Sequence, residues 1–317
     1  MPLVDNLTIA VVCGGPSAEA EISRISGHGV TDALRFTYPK TILLELDGNI
    51  ADALKQNGVN AVFPVLHGPP GEDGTFQGFL EILGIPYVGS GVHASTCAMD
   101  KSLAKHLFLD AGVPVARDIV VHRQNGVQAA ANIVVKSLGL NVVVKPSRQG
   151  SALGVAFPKD VVQLETALQE AFLYDERVLV EERIEGKEIT VGLLERAELA
   201  ALPVIEIRTP SGTWYDFEHR YIPGLSEHII PASLPKDQYH RIQELAKMAH
   251  IALGCRDLSR VDFVVPENGE PIVLEVNTLP GMTPTSLYPD AAKAASLPFQ
   301  ELVAYLVERA LLRSKGS

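Results

Sequence analysis

Two carboxylates and an amide in the last third of the chain have the spacing to hold a hard cation. The stretch runs Arg260-Val-Asp262-Phe-Val-Val-Pro-Glu-Asn268-Gly269-Glu-Pro-Ile-Val-Leu-Glu275-Val-Asn277. Asn-Gly between two alternating apolar runs is the strongest short-range hairpin signal. A fold at Asn268-Gly269 sets Asp262 opposite Glu275 and Arg260 opposite Asn277. Strand side chains alternate with a period of two, so all four then share one face. Like charges directly opposed destabilise a sheet, and a positive group is expected between them. Asp262, Glu275 and the Asn277 amide oxygen form an all-oxygen set that suits magnesium and its phosphate co-ligands. The competing reading is a solvated face whose charges avoid each other. An odd loop length would slip the pairing by one residue.

Other clusters could supply the rest of a phosphate chemistry. Lys145-Pro-Ser147-Arg148-Gln149-Gly150-Ser151-Ala-Leu-Gly154 follows an apolar strand. It is not a Walker A loop, but its backbone N–H groups could lie over phosphates while Lys145 supplies charge. Lys101 opens a helix against the dipole, a cost that a bound anion would offset. Both have the plain alternative of an ordinary surface loop and a surface lysine. Gly14-Gly15-Pro16-Ser17-Ala18-Glu19 links a strand to a helix without the G-x-G-x-x-G pattern, which argues against a dinucleotide. There Glu19 is either an acid complementing the helix dipole or an anchor for a ligand's ammonium group. His67-Gly-Pro-Pro-Gly-Glu-Asp-Gly74 follows another strand, where ligands of α/β sheets bind, so His67 is expected to face a cleft. Glu181-Glu-Arg-Ile184-Glu-Gly-Lys-Glu188 reads, taken alone, as a hinge after an apolar strand. Trp214 to Tyr221, with a further loop to Pro231, is aromatic and charged and reads as a lid. After Asn277, Gly281 permits close backbone approach to a ligand, and Ser286 could donate to a carboxylate.

Elements to position these groups can be read from the pattern. Strands are expected at 7–13, 41–46, 59–65 and 85–88, with a helix opening near Ser17, which gives a parallel α/β unit over 1–92. Helix 100–111, strands 117–121 and 141–145, helix 160–171 and strand 178–184 make a second unit, 93–187. Residues 188–317 mix strands (189–194, 202–207, 260–265, 271–276) with helices (236–253, 298–312). No repeat or low-complexity segment interrupts them.

Composition bounds the function. At 317 residues, 46% hydrophobic and 21% charged, the chain can build two or three cored domains. A net charge of −11 argues against a general nucleic-acid surface. No apolar run approaches the roughly 20 residues that span a membrane. The first residues lack a basic region followed by a cleavable apolar segment, so no secretion signal is expected. Cys13, Cys97 and Cys255 are few, odd in number and far apart, which fits a reducing cytosol and neither a disulfide framework nor a zinc site.

Together these residues resemble the D-alanine–D-alanine ligases, an ATP-grasp family. The motifs GGPSAEAEIS, HGPPGEDG, MDK, KPSRQGSALGV, EGKE, YDFEHRY, RVDF and LEVNTLPGMTPTSL stand in family order over nearly the whole chain. The resemblance implies three domains, with ATP between the central and C-terminal α+β domains. It implies ligation of two D-alanines through an acyl phosphate for peptidoglycan precursors, with ATP and magnesium (manganese as a substitute), in the cytoplasm and as a homodimer. By motif position Lys101 and Lys145 resemble the phosphate lysines. Arg220 could reach the γ-phosphate. Glu181 and the Ile184 backbone resemble the adenine-edge contacts, and Glu188 the ribose ligand. Asp262, Glu275 and Asn277 match the magnesium ligands. Glu19 resembles the anchor for the first ammonium, tied to Ser151 and Tyr221 in a triad that fixes the lid. Arg260 and the Gly281 N–H resemble the oxyanion-stabilising groups. Ser286 and Leu287 resemble the second-substrate binders, and His67 sits near the first substrate.

The family usually has Lys where Arg220 stands, so a planar fork replaces a point charge. His219 is bulkier than the usual residue. These changes bear on rate and lid closure more than on reaction class. A ligase with another second substrate is one rival, against which Tyr221 speaks. A catalytically silent ATP-binding regulator is another, against which the three retained metal ligands speak. A nicotinamide dehydrogenase fails for want of the glycine fingerprint.

Overall fold

The computed structural model describes residues 4, 6–150, 152–210, 219, 222, 224–267 and 269–313. Its first third builds a parallel sheet in the order β2-β1-β3, from β1 (Thr8–Cys13), β2 (Lys40–Glu45) and β3 (Ala61–Pro64). Both faces of β1 are apolar because both are covered, as parallel strands require. Ile9, Val11 and Cys13 join one core with α1 (Ala20–Arg35). Ala10 and Val12 join another with α2 (Ile50–Gln56) and α3 (Thr75–Leu83). The strand expected at 85–88 reduces to a single bridge between Tyr87 and Val62. Pro86 has no N–H to extend a ladder, and Gly89 turns the chain at φ +96°. α1 begins at Ala20 and not near Ser17, which leaves Glu19 at the N-cap position.

Next come α4 (Val92–Met99), α5 (Lys101–Asp110) and an antiparallel sheet, β4-β6-β5. Its strands are β4 (Asp118–His122), β5 (Val142–Pro146) and β6 (Arg177–Glu182). Helices α6 (Val127–Leu138) and α7 (Val161–Tyr174) cover one face through Ala130, Val134, Leu164 and Leu168. The third sheet runs β10-β9-β7-β11-β12, with β8 on β7, and is antiparallel throughout. These strands are β7 (Lys187–Glu195), β8 (Leu199–Ala201), β9 (Ile205–Arg208), β10 (Glu227–Ile229), β11 (Leu258–Val265) and β12 (Ile272–Asn277). Helix α8 (Lys236–Ala252) packs on it beside Ala104 and Phe108 of α5. α9 (Leu287–Ala294) and α10 (Phe299–Arg313) return to the first core. Among the described residues no helix is long and apolar enough to cross a membrane.

The β11–β12 pairing sets Arg260 against Asn277 and Asp262 against Glu275. Closer to the turn the register is shifted, with Phe263 against Val273 and Val264 against Ile272. The odd loop does slip the pairing by one residue, and a β-bulge that leaves Leu274 unmatched slips it back. Asn268 itself lies outside the described residues.

Candidate active site

Two neighbouring pockets open between these units. Glu19 from the start of α1, His67 and Glu72 from the loop after β3, and Gly150 form one side of the first. Arg260, Glu275 and Asn277 from the hairpin, with Gly281, Ser286 and Leu287 beyond it, form the other. The second pocket is lined by Lys145 of β5, Glu181 of β6, Ile184 and Glu188 around the β6–β7 turn, and the bulge residue Leu274. Lys101 and Glu275 line both. Their side chains meet across the boundary, with Lys101 Nζ 3.3 Å from Glu275 Oε2. Ser151, Arg220 and Tyr221 lie outside the described residues, as does much of the expected lid (215–218 and 223).

Local structure explains several placements. Glu19 is buried and caps no N–H of its own helix through its side chain. Its carboxylate is therefore not committed to the helix end, which weakens the purely structural reading offered above. Lys101 follows Asp100, whose side chain caps the Leu103 N–H at 3.2 Å and supplies the negative charge that the helix start prefers. Lys101 Nζ can then turn outward, donating to Gln149 O at 2.8 Å. The β6–β7 turn does more than act as a hinge. A Cβ on Gly186 would lie 2.3 Å from Val265 O, so only glycine lets the turn press onto β11. Gly281 is similarly tight, because its Cβ would meet Ser286 Oγ at 2.8 Å. Ser286 Oγ accepts from the Thr283 N–H at 3.0 Å and lies 2.8 Å from Thr283 Oγ1. With Thr283 donating, the Ser286 proton can point to a ligand.

The hairpin carboxylates have the positive neighbours that opposed like charges demand. Asp262 accepts from Arg260 Nε at 2.8 Å and Nη2 at 2.7 Å, from Thr190 Oγ1 at 2.6 Å and from Asn277 Nδ2 at 3.1 Å. These donors use the lone-pair sites of both oxygens. Among the described residues no group of three or more His, Cys, Asp or Glu side chains could hold a metal ion. A cation here would draw on Asp262, Glu275 and the Asn277 oxygen, completed by phosphate oxygens, and that is the donor set magnesium favours. Asp262 would have to loosen its hold on Arg260 to join it.

Burial acts on the ionisable groups in opposite ways. Glu181 is 4% exposed. Burial alone would raise its pKa, but the charges and hydrogen bonds of Lys145 and Lys105 hold it down at about 2. Glu72, whose carboxyl accepts the Gly68 N–H at 2.6 Å, is pushed up to about 8. Burial is the main cause, with the nearby Glu19 and Glu275 charges adding to it. Burial also lowers the pKa of His67 below the ordinary imidazole value. Its Nε2 has no hydrogen-bond partner among the described residues, a buried polar atom open to a ligand.

The motif-based reading assigned no role to Glu72 or Lys105. Glu72 stands inside the quoted HGPPGEDG loop. Lys105 lies four residues after Lys101, one turn further along α5, and that spacing alone does not tell which of the two reaches a pocket.

Two family profiles match the chain: D-ala D-ala ligase N-terminus over residues 45–90 and D-ala D-ala ligase C-terminus over residues 107–308. A D-alanine--D-alanine ligase of Desulforamulus reducens is 43% identical over 310 residues, covering 96% of this chain and 99% of its own. The crystal structure of the D-alanine--D-alanine ligase of Bacillus anthracis complexed with ATP has a TM-score of 0.83 at 30% identity, covering 98% of this chain and 99% of that one. The VanG D-Ala:D-Ser ligase of Enterococcus faecalis has a TM-score of 0.82 at 32% identity, covering 96% and 100%.

Proposed function

The chain belongs to the D-alanine–D-alanine ligase family, and from that premise we propose how its own residues divide the work of ligation. The enzyme is an ATP-dependent ligase that joins two D-alanines. ATP occupies the second pocket and the amino acids the first. The observation that carries this reading is the Lys101–Glu275 pair on the shared wall. A γ-phosphate delivered from one pocket meets a carboxylate held in the other at that wall.

Joining two amino acids in water is uphill, so the first D-alanine's carboxylate takes the γ-phosphoryl group to become an acyl phosphate. The second D-alanine's amine then attacks that carbonyl and phosphate leaves. Such transfers depend on positioning and charge neutralisation more than on covalent help from the protein. Glu19 holds the first ammonium and His67 lies beside it. Lys101 and Lys145 hold phosphate oxygens, Glu181 and the Ile184 backbone hold the adenine edge, and Glu188 holds the ribose. Arg260 and the Gly281 N–H face the oxyanion, and Ser286 with Leu287 holds the second substrate. Asp262, Glu275 and Asn277 would hold magnesium, or manganese in its place, which when bound would supply positive charge to the phosphates. Ser151 and Tyr221 keep the lid roles their motif positions imply, and Arg220 reaches the γ-phosphate. The division into 1–92, 93–187 and 188–317, a cytoplasmic site of action and a homodimer belong to the same proposal.

Phosphate release measured with a panel of amino acids tests the assignment. D-Alanine should support release and L-alanine should not. Release with L-alanine equal to that with D-alanine would sink the pocket assignment. D-Serine and D-lactate belong in the panel, because the likeness to a D-Ala:D-Ser ligase leaves the second substrate as the finer question.

A further inference from the structure

Behind the nucleotide pocket, Lys105 lines neither cavity and is 2% exposed. Its ammonium donates to Glu181 Oε1 at 2.6 Å and Ala116 O at 2.8 Å and is ion-paired with Asp118 Oδ1 at 3.1 Å. Helix α5 thus presents two lysines one turn apart with different surroundings. Lys101 faces forward, lines both pockets and touches Glu275. The Lys105 side chain turns inward to Glu181, Ala116 and Asp118 and lines neither pocket.

Glu181 is held from both sides. Lys105 takes Oε1, and Lys145 takes Oε2. The two partners differ in permanence. Lys145 lines the nucleotide pocket at the end of β5, where a triphosphate is the stronger attractor for a mobile ammonium. Once it turns to phosphate, Glu181 keeps only Lys105. Lys105 cannot follow, because its ammonium is held by Glu181, Ala116 O and Asp118 and its stem is packed inside the protein.

A carboxylate that stays ionised and fixed can only accept hydrogen bonds. It then matches a purine bearing an amino group on the edge it faces, and it repels a carbonyl at that position. A carboxyl that could take up a proton or rotate would accommodate both. We infer that Lys105 is the positioning residue that sets base selection, holding Glu181 as an oriented acceptor for the 6-amino purine edge after Lys145 has moved to the phosphates. This rests on the reading of Glu181 as the adenine-edge contact. The rival account is a plain strut, in which Lys105 only ties α5 to β4 and β6.

The test compares Michaelis constants for ATP and inosine triphosphate in the parent, Lys105→Met, Lys105→Arg and Glu181→Gln, with D-alanine constants measured alongside. Lys105→Met should erode the preference for ATP over inosine triphosphate by roughly 10- to 100-fold, the scale of one hydrogen bond to a charged group. Its D-alanine constants should stay near the parent's, and Lys105→Arg should restore part of the preference. If Lys105→Met does not fold, pairing it with Asp118→Asn removes one buried cation and one anion together and carries the same expectation. A strut would change stability and all constants alike while leaving the nucleotide ratio intact. An unchanged ratio in the Lys105 variants, with the ratio lost in Glu181→Gln, overturns the proposal alone. A ratio unchanged in Glu181→Gln overturns the adenine-edge reading and the proposal with it.

Discussion

Glu181, buried, and Glu72, half-buried, are two glutamates that the same fold drives apart. Glu181 sits in a strand between two lysines and stays ionised down to about pH 2. Glu72 sits in a loop near two other carboxylates, its carboxyl accepting the Gly68 N–H, and holds its proton up to about pH 8. Desolvation presses both toward the neutral acid, so the neighbours decide the outcome. On the proposed reading Glu181 serves the nucleotide as a permanent acceptor, and two lysines supply the charge that keeps it one. On the same reading the Glu72 side serves the amino acids, and there carboxylates are crowded together with Arg260 as their counter-charge.

That contrast can be broken most severely at Glu181. Glu181→Leu leaves Lys105 and Lys145 without their shared partner, and unfolding in urea should show a loss of about 3–5 kcal/mol. The pH dependence gives the same answer in another form. A carboxyl whose folded pKa lies below its unfolded value of 4.5 contributes stability above pH 4.5, and that stability is lost as pH falls toward 2. Parent and variant should therefore converge in acid. Constant separation from pH 6 to pH 2.5 would contradict the two-lysine account.

On the amino-acid side the counterpart is Arg260→Met, which removes the counter-charge. Loss of one preorganised oxyanion donor lowers kcat by roughly 10²- to 10³-fold. Steady-state turnover at saturating D-alanine measures it, and a kcat within a factor of three of the parent's would exclude Arg260 from the reaction. Glu19→Gln should act more mildly, weakening the first D-alanine by about 1.5–3 kcal/mol, the scale of a charged hydrogen bond. The two D-alanine Michaelis constants separate the sites, and a change confined to the weaker constant would place Glu19 elsewhere.

The smallest effect belongs to Glu72→Gln, since an amide imitates a protonated carboxyl. Near pH 5 the stabilities should agree within about 1 kcal/mol. Here the folded pKa lies above the unfolded one, so the parent's stability falls as pH rises from 4.5 toward 8. Glu72→Gln should gain on the parent across that window. A flat difference between pH 5 and pH 8 would mean that Glu72 is already ionised.

The hairpin was the most legible part of the site. Asn-Gly and alternation alone paired Arg260 with Asn277 and Asp262 with Glu275, as found. Groups whose partners are distant in sequence were illegible. Nothing near Lys105 announces Glu181, 76 residues on, and nothing in the loop at Glu72 announces the carboxylates of α1 and β12. Turn residues misled at 85–88, where Pro86 allows one bridge but no ladder. They also misled at Ser17, where the helix waits until Ala20 and leaves Glu19 at the N-cap position, lining the pocket. Propensity reads which segments are regular, whereas the field at a buried carboxylate is set by whatever the fold brings against it.

The bulge at Leu274 separates the length of the turn from the register of the ligands. On its other side β11 is pinned to β7, with Arg260 against Gly192 and Asp262 against Thr190, so the site end of the strand is anchored independently. Shortening the loop by one residue at Gly269 would leave an even connection, which can be absorbed by closing the bulge. Deleting Leu274 itself would do the same from the other end. The hairpin tip is therefore a place where this chain can gain or lose length without moving Asp262, Glu275 or Asn277, and where a graft or label would leave the chemistry in register.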